Sequence, residues 1–208
     1  FEGGWVFICL ASQLPEPFDF HCMRIGRRPV MVTRDGEGGL HCFHNTCRHR
    51  GATLRQSECG NSKFHVCDYH GWAYDAKGQN IDIKDQEAAH YPESFKSKDH
   101  DLLPVARFAA YRDLLFASLS PDVLPLEEYL GDARVFIDLV LDQGGEGMEL
   151  VPGRSRYTYD ANWKFQLDNG VDAYHLTFTH RSFAKVVQRR TAGESENKQV
   201  KSPDFKSR

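Results

Sequence analysis

Two short stretches set sulfur and nitrogen donors side by side: "NTCRHRG" at 45–51, with Cys47 and His49, and "CDYHGW" at 67–72, with Cys67 and His70. Together they read C-x-H-x17-C-x2-H. Zinc accepts four such donors, but zinc fingers draw on C-x2–4-C and H-x3–5-H pairs, so each short loop is all-sulfur or all-nitrogen. Here each loop supplies one thiol and one imidazole. That mixture suits a two-iron cluster in which one iron takes both cysteines and the other both histidines. Imidazoles in place of thiolates make such a cluster less negative and set its reduction potential at roughly −150 to +300 mV, against about −400 mV for an all-cysteine plant-type cluster. Gly51 and Gly71 fit loops that bend tightly around a cofactor. The alternatives are a zinc-binding interaction module and a chance grouping of buried cysteines and surface histidines. Cys9, Cys22, Cys42 and Cys59 have no matching partners and read as structural. His44 and His65 flank the loops, and strand alternation turns them away from the donors, as surface or packing residues.

A second group follows in "DNGVDAYHLTFTH" at 168–180. His175 and His180 are five apart, about 140° on an ideal helix. They face one metal only if the helix bends, bulges or ends between them. Asp172, three residues before His175, is within reach of that imidazole. A carboxylate on the far nitrogen of a ligand histidine fixes the ring's tautomer and orientation. Two histidines and a carboxylate make the facial triad of non-haem Fe(II) oxygenases, which leaves positions open for dioxygen. Taken alone, this pair reads as packed or surface histidines; behind the first group it reads as an iron site.

Elements to position these residues are legible along the chain. Residues 5–119 are strand-like. "WVFICL" is a short apolar run, "RPVMVTRDGEGGLHCFHNTC" two strands about a Gly-rich turn, and "WAYDAKGQNI" another pair turning at Ala76-Lys77-Gly78. "RFAAYRDLLFASL" predicts a hairpin about Arg112-Asp113, and "LEEYLG" a short helix ending at Gly131. A boundary is expected near 120–131, dividing the chain into 1–125 and 126–208. Beyond it "DARVFIDLVLDQ" has helical spacing, "GGEG" is a break, and "MELVPGRSRYTYDA" alternates like a strand. Residues 162–180 carry apolar side chains at 163, 167, 171, 174 and 178, a helical period that runs through Gly170.

The composition narrows the class. With 26 basic and 29 acidic residues, nothing points to nucleic acid. No apolar run reaches the ~18 residues of a membrane span, and "FEGGWVFICL" lacks the basic region and cleavage site of a signal peptide. Six cysteines in 208 residues are too few for a disulfide scaffold, so a cytosolic, reducing setting is expected. The start at Phe and the polar end "SENKQVKSPDFKSR" read as the ends of a piece of a longer chain.

"CRHRG" with "CDYHGW" resembles a Rieske [2Fe–2S] site, and with "DNGVDAYHLTFTH" behind it the chain resembles the large (α) subunit of Rieske ring-hydroxylating oxygenases, over 5–119 and 132–180. The resemblance implies an α+β architecture: an antiparallel β Rieske domain, then the start of a helix-grip (START-like) catalytic domain. It implies that Cys47, His49, Cys67 and His70 hold the cluster and His175 and His180 a mononuclear Fe(II), with Asn169 and Asp172 in the catalytic machinery. Asp172 would bridge His175 to the partner subunit's His70, in a ring-shaped trimer with or without small β subunits. A reductase, with or without a ferredoxin, would bring electrons from NAD(P)H, and dioxygen and an aromatic ring would be the substrates. The third iron ligand of the family is a carboxylate beyond residue 208; Glu194, Glu196 and Asp204 lie in a polar tail and are not promoted to that role. The family pattern has Glu before the Asn, where this chain has Asp168-Asn169. The short spacing from Asn169 to Asp172 resembles the benzoate, anthranilate, halobenzoate and salicylate branch, which implies an aromatic carboxylate. A Rieske electron carrier, which leaves 130–180 without a task, and a Rieske monooxygenase or demethylase are the competing readings.

Overall fold

"RPVMVTR" has no polar face along its centre, and in the computed structural model it is the strand β3 (Arg28–Arg34), whose Val30, Met31 and Val32 are 0% exposed. Side chains alternate across a strand, and here both faces meet a core. Val30 and Val32 enter one cluster with Ile8, Cys9, Leu14, Ile25, Cys42 and Leu115. Met31 enters a second with Phe20, Phe43, Leu54, Trp72, Tyr74 and both Cys47 and Cys67. The structure describes residues 2–143, 151, 153, 155 and 157–194.

β3 lies inside a four-stranded antiparallel sheet of order β4-β3-β2-β5, with β2 at Asp19–Ile25, β4 at Leu40–His44 and β5 at Cys59–Asn61. A second sheet, β1-β10-β9, joins Val6–Leu10 to the hairpin Arg107–Tyr111 and Leu114–Ser118. Its register slips between Phe7 and Cys9, and this bulge lets the neighbours Ile8 and Cys9 both enter the first core. The third sheet, β6-β7-β8, comprises Phe64–Val66, Ala73–Asp75 and Asn80–Asp82. It is tied to β3 by a buried hydrogen bond from Thr33 Oγ1 to the Ala76 carbonyl, 2.7 Å.

The expected hairpins form about 35–39, 76–79 and 112–113, with Arg112 at φ +53° in the last. Gly78 closes the second turn at φ +80°, and a Cβ there would sit 2.5 Å from Phe43 Cε1. Gly78→Ala therefore combines left-handed strain with a clash against a core ring. The expected loss is roughly 2–4 kcal/mol, read as a thermal midpoint several degrees lower.

Contacts divide the chain into two units, 1–152 and 153–208. The expected division at 125/126 cuts inside the first unit. The helices that follow it, α2 (Leu126–Leu130) and α3 (Ala133–Leu141), belong with the β-sheets: Tyr111 Oη donates to Asp138 at 2.8 Å, and Arg112 pairs with Asp138 and Asp142 at 3.0 and 2.7 Å. A four-residue helix, α1 (Glu93–Lys96), precedes them.

The second unit departs from two expectations. Residues 162–180 are not one helix but two, Lys164–Val171 and Leu176–Thr179, followed by a longer helix at Arg181–Glu194. Asp172 leaves the helical region at ψ 106°, and its Oδ1 accepts the Tyr174 N–H at 2.7 Å. A side-chain bond of this kind competes with the helix ladder. The described residues of 148–161 form no strand; the rest of that segment, with "GGEG", falls outside the described residues. Trp163, Phe165, Phe178 and Phe183 are each more than half exposed. No helix among the described residues is long and apolar enough to cross a membrane.

Candidate metal centres

The two Cys/His loops are built on one backbone plan. In the first, Gly51 N–H donates to the Cys47 carbonyl at 2.9 Å and Cys47 N–H to the Ala52 carbonyl at 2.8 Å. In the second, Gly71 N–H donates to Cys67 at 2.9 Å and Cys67 N–H to Trp72 at 2.8 Å. Gly51 and Gly71 stand at φ +74° and +75°, with little or nothing near a Cβ position, so conformation and not space calls for glycine. The histidine comes two residues after the cysteine in one loop and three after it in the other.

Those turns bring the four residues together at the edge of the second core. Cys47 and Cys67 are each 3% exposed, whereas His49 is exposed and His70 half-buried. The His49 and His70 rings have centroids 4.6 Å apart. With metal–nitrogen bonds of about 2 Å, two imidazoles on one ion sit roughly 5 Å apart. His49 stacks on Trp72 at 5.0 Å and 13°, which fixes its ring plane. The fully buried Tyr74 places its hydroxyl 3.3 Å from Cys47 Sγ while accepting the Arg48 N–H at 3.0 Å. A cysteine bound to metal is a thiolate with no proton of its own, so toward it the hydroxyl is the donor.

The electrostatics match the donor types. Burial raises the Cys47 thiol pKa and the Tyr74 hydrogen bond opposes it. Burial also raises the pKa of Tyr74, which keeps its proton for the bond to sulfur. Desolvation, then His70 and the Arg50 guanidinium, lower the pKa of His49 toward the neutral ring a metal requires. A two-iron cluster asks two protein donors of each iron, and the two loops offer two thiols and two imidazoles. The donor set therefore fits a [2Fe–2S] group.

The remaining cysteines behave differently. Burial pushes Cys9 and Cys22 up to about 12 and raises Cys42 as well, so these stay thiols in the cores. Cys59 is exposed on β5. His44 is half-buried on β4, and burial, then Arg28, lowers its pKa. His65 inverts the usual pattern: it is fully buried while its strand neighbours Phe64 and Val66 are 45% and 47% exposed. Arg55 Nε–H donates to His65 Nδ1 at 2.9 Å, and burial, then that guanidinium, lowers His65 to about 4. Nothing in the spacing of the sequence singles out Arg55; its part appears only when the loops are folded together.

In the second unit the break after Val171 sets His175 just before the helix Leu176–Thr179 and His180 just after it. Their ring centroids lie 5.1 Å apart. Asp172 Oδ2 accepts from His175 Nδ1–H at 3.0 Å, which leaves Nε2 of that ring free to bind a metal. The Tyr174 N–H, then His175, lower the Asp172 carboxyl below its ordinary value. Asn169 is exposed on the preceding helix. Two imidazoles at this separation fit a shared ion.

Residues 4–102 match the Rieske [2Fe-2S] domain, and residues 146–208 match the ring hydroxylating alpha subunit (catalytic domain). The chain joins a Rieske domain to part of a ring-hydroxylating alpha catalytic domain. Among its relatives is the toluate 1,2-dioxygenase subunit alpha of Pseudomonas putida, 46% identical over 91% of this chain and 42% of the relative. The 2-halobenzoate 1,2-dioxygenase large subunit of Burkholderia cepacia is 40% identical over 91% of this chain and 41% of its own length. Among solved structures, naphthalene 1,2-dioxygenase from Rhodococcus sp. bound to indole superposes with a TM-score of 0.79 at 36% identity, over 88% of this chain and 42% of that one. The chain thus spans about two fifths of the length of these relatives.

In the Rieske domain Tyr74 offers a direct test of the sulfur environment. Hydrogen bonds to cluster sulfurs raise reduction potential by stabilising the more negative, reduced state. Tyr74→Phe removes one donor aimed at Cys47 and keeps the ring in place. The expected result is a potential lower by about 40 mV, for a bond that differs by ~1 kcal/mol between the two redox states, measured by titration of the purified full-length subunit.

Proposed function

We propose that the protein to which this chain belongs is the terminal oxygenase of a multicomponent system that adds both atoms of dioxygen to the ring of an aromatic carboxylate. The observation that carries this reading is the succession, in one chain, of the two mixed Cys/His loops and the Asp172–His175–His180 group. Relatives named for toluate and 2-halobenzoate dioxygenation support the carboxylate, as does the short spacing from Asn169 to Asp172.

The overall conversion is arene plus dioxygen, two electrons and two protons to a cis-dihydrodiol. A [2Fe–2S] cluster and an Fe(II) ion, when bound, supply one-electron transfer and dioxygen activation. Cys47 and Cys67 would hold one iron of the cluster and His49 and His70 the other; His175 and His180 would hold the mononuclear ion beside Asn169. The protein's own work is orientation. Trp72 holds the His49 ring, Tyr74 holds a proton against Cys47, and Asp172 holds the proton of His175 Nδ1. Asp172 would also meet the partner subunit's His70, which requires a ring of alpha subunits, as a trimer or with small beta subunits. Electrons would come from NAD(P)H through a reductase, with or without a ferredoxin, and that source suits the cytoplasm.

The test is turnover of the full-length subunit with its reductase on benzoate, toluates, halobenzoates, anthranilate, naphthalene and biphenyl. A cis-diol from an aromatic acid, with three irons and two acid-labile sulfides per chain, is the expected result. Products from naphthalene or biphenyl but from no acid would overturn the carboxylate assignment. Two irons per chain and no product would return the protein to electron transfer alone.

A further inference from the structure

Each cluster-binding loop is entered through a buried polar residue two positions before its cysteine: Asn45 before Cys47 and His65 before Cys67. Arg55 joins the two. The Asn45 side chain closes on the Arg55 peptide, accepting its N–H at 2.9 Å and donating to its carbonyl at 2.7 Å. The Arg55 guanidinium then reaches the other loop, donating from Nε to His65 Nδ1 at 2.9 Å and from Nη2 to the Phe64 carbonyl and Ser62 Oγ, both at 2.6 Å. Its carbon lies 5.3 Å from the centroid of the Phe20 ring, against which His65 packs edge-on at 5.5 Å.

We propose that Arg55 is a positioning residue that sets the spacing of the two loops by holding Asn45 and His65 in one hydrogen-bonded strut. This rests on the reading of Cys47, His49, Cys67 and His70 as cluster ligands. The physical reason is geometric. Neither loop contains a backbone bond to the other among the described residues, each being closed on itself through its own cysteine and glycine. The planar fork of arginine fixes direction as well as distance, which a point-charge ammonium does not. Displacing one loop changes the angle between thiols and imidazoles without unfolding either, because each retains its own turn.

The experiment uses the full-length alpha subunit carrying Arg55→Gln, Arg55→Lys, His65→Phe and the double variant Arg55→Gln/His65→Phe. The readouts are the line shape of the reduced cluster in electron paramagnetic resonance and the rate at which a chelator strips its iron. Thermal unfolding serves as the measure of general packing. Expected are broadened lines and roughly tenfold faster iron loss in Arg55→Gln, no rescue by Arg55→Lys, and a double variant no worse than either single one. Wild-type line shape and release rate in all variants would overturn the inference, even with lowered melting. Recovery by lysine would do the same, since charge and not the fork would then suffice. If Arg55→Gln does not fold, His65→Phe alone carries the test, because it keeps a ring in the core and removes the acceptor. Wild-type protein without acid-labile sulfide would instead sink the cluster reading itself.

Discussion

Cys67→Ala in the full-length alpha subunit is expected to yield protein without visible absorption, without acid-labile sulfide and with turnover at the limit of detection. Cys67 is 3% exposed in the second core, and its loop is closed by backbone bonds that alanine can also make. On the proposed ligand set, what disappears is one of the two sulfur donors, and the binding energy of a metal group is also folding energy. The damage should be uneven. Met31, Phe43, Trp72 and Tyr74 surround the loops, whereas the first core contains none of the four donors. Amide exchange should therefore quicken in β6, β7 and β8 and stay slow in β1, β9 and β10. A variant that retains sulfide and colour would remove Cys67 from the ligand set.

If His175 is a ligand as proposed, Asp172→Ala should do the opposite: leave three irons per chain and lower turnover by about a hundredfold, the upper end for loss of a carboxylate behind a ligand histidine. Asp172 makes two bonds, one to the Tyr174 N–H at 2.7 Å and one to His175 Nδ1–H at 3.0 Å. Asp172→Asn separates them. Its amide oxygen can still take the backbone bond and preserve the break between helices, but it carries no charge for the imidazole. Electron transfer through this residue predicts that Asn fails with Ala, and that a single-turnover measurement shows the reduced cluster oxidising slowly. Full activity in Asp172→Asn would reduce the side chain to a local turn-maker.

Donor chemistry and turn chemistry are local, and so they are readable in a sequence. Mixed Cys/His spacing leads to the two loops, and Gly78 and Arg112-Asp113 lead to hairpins that form where expected. The break at Asp172 is not visible to periodicity, because 163, 167, 171, 174 and 178 keep a helical rhythm through residues whose backbone leaves the helix. The alternation of 148–161 likewise describes which faces are apolar and says nothing of whether a neighbouring strand exists. Periodicity is equally silent on Asp138 and Asp142, which meet Tyr111 and Arg112 from the helix that follows the hairpin. His65 shows the limit most clearly. A polar residue between two apolar ones on a strand is normally the one that faces water, yet His65 is buried, with Arg55 from ten residues upstream pairing its Nδ1 while Nε2 has no hydrogen-bond partner among the described residues.

The two loops share a backbone but not an orientation toward water: both thiols are covered, while one imidazole is open and the other half so. Whatever is gripped between them is insulated on its sulfur side and has its terminals on the nitrogen side. If the group gripped there is the redox cluster, the imidazole edges are its shortest way to the outside of this chain, and partners that supply charge and partners that withdraw it would share that window.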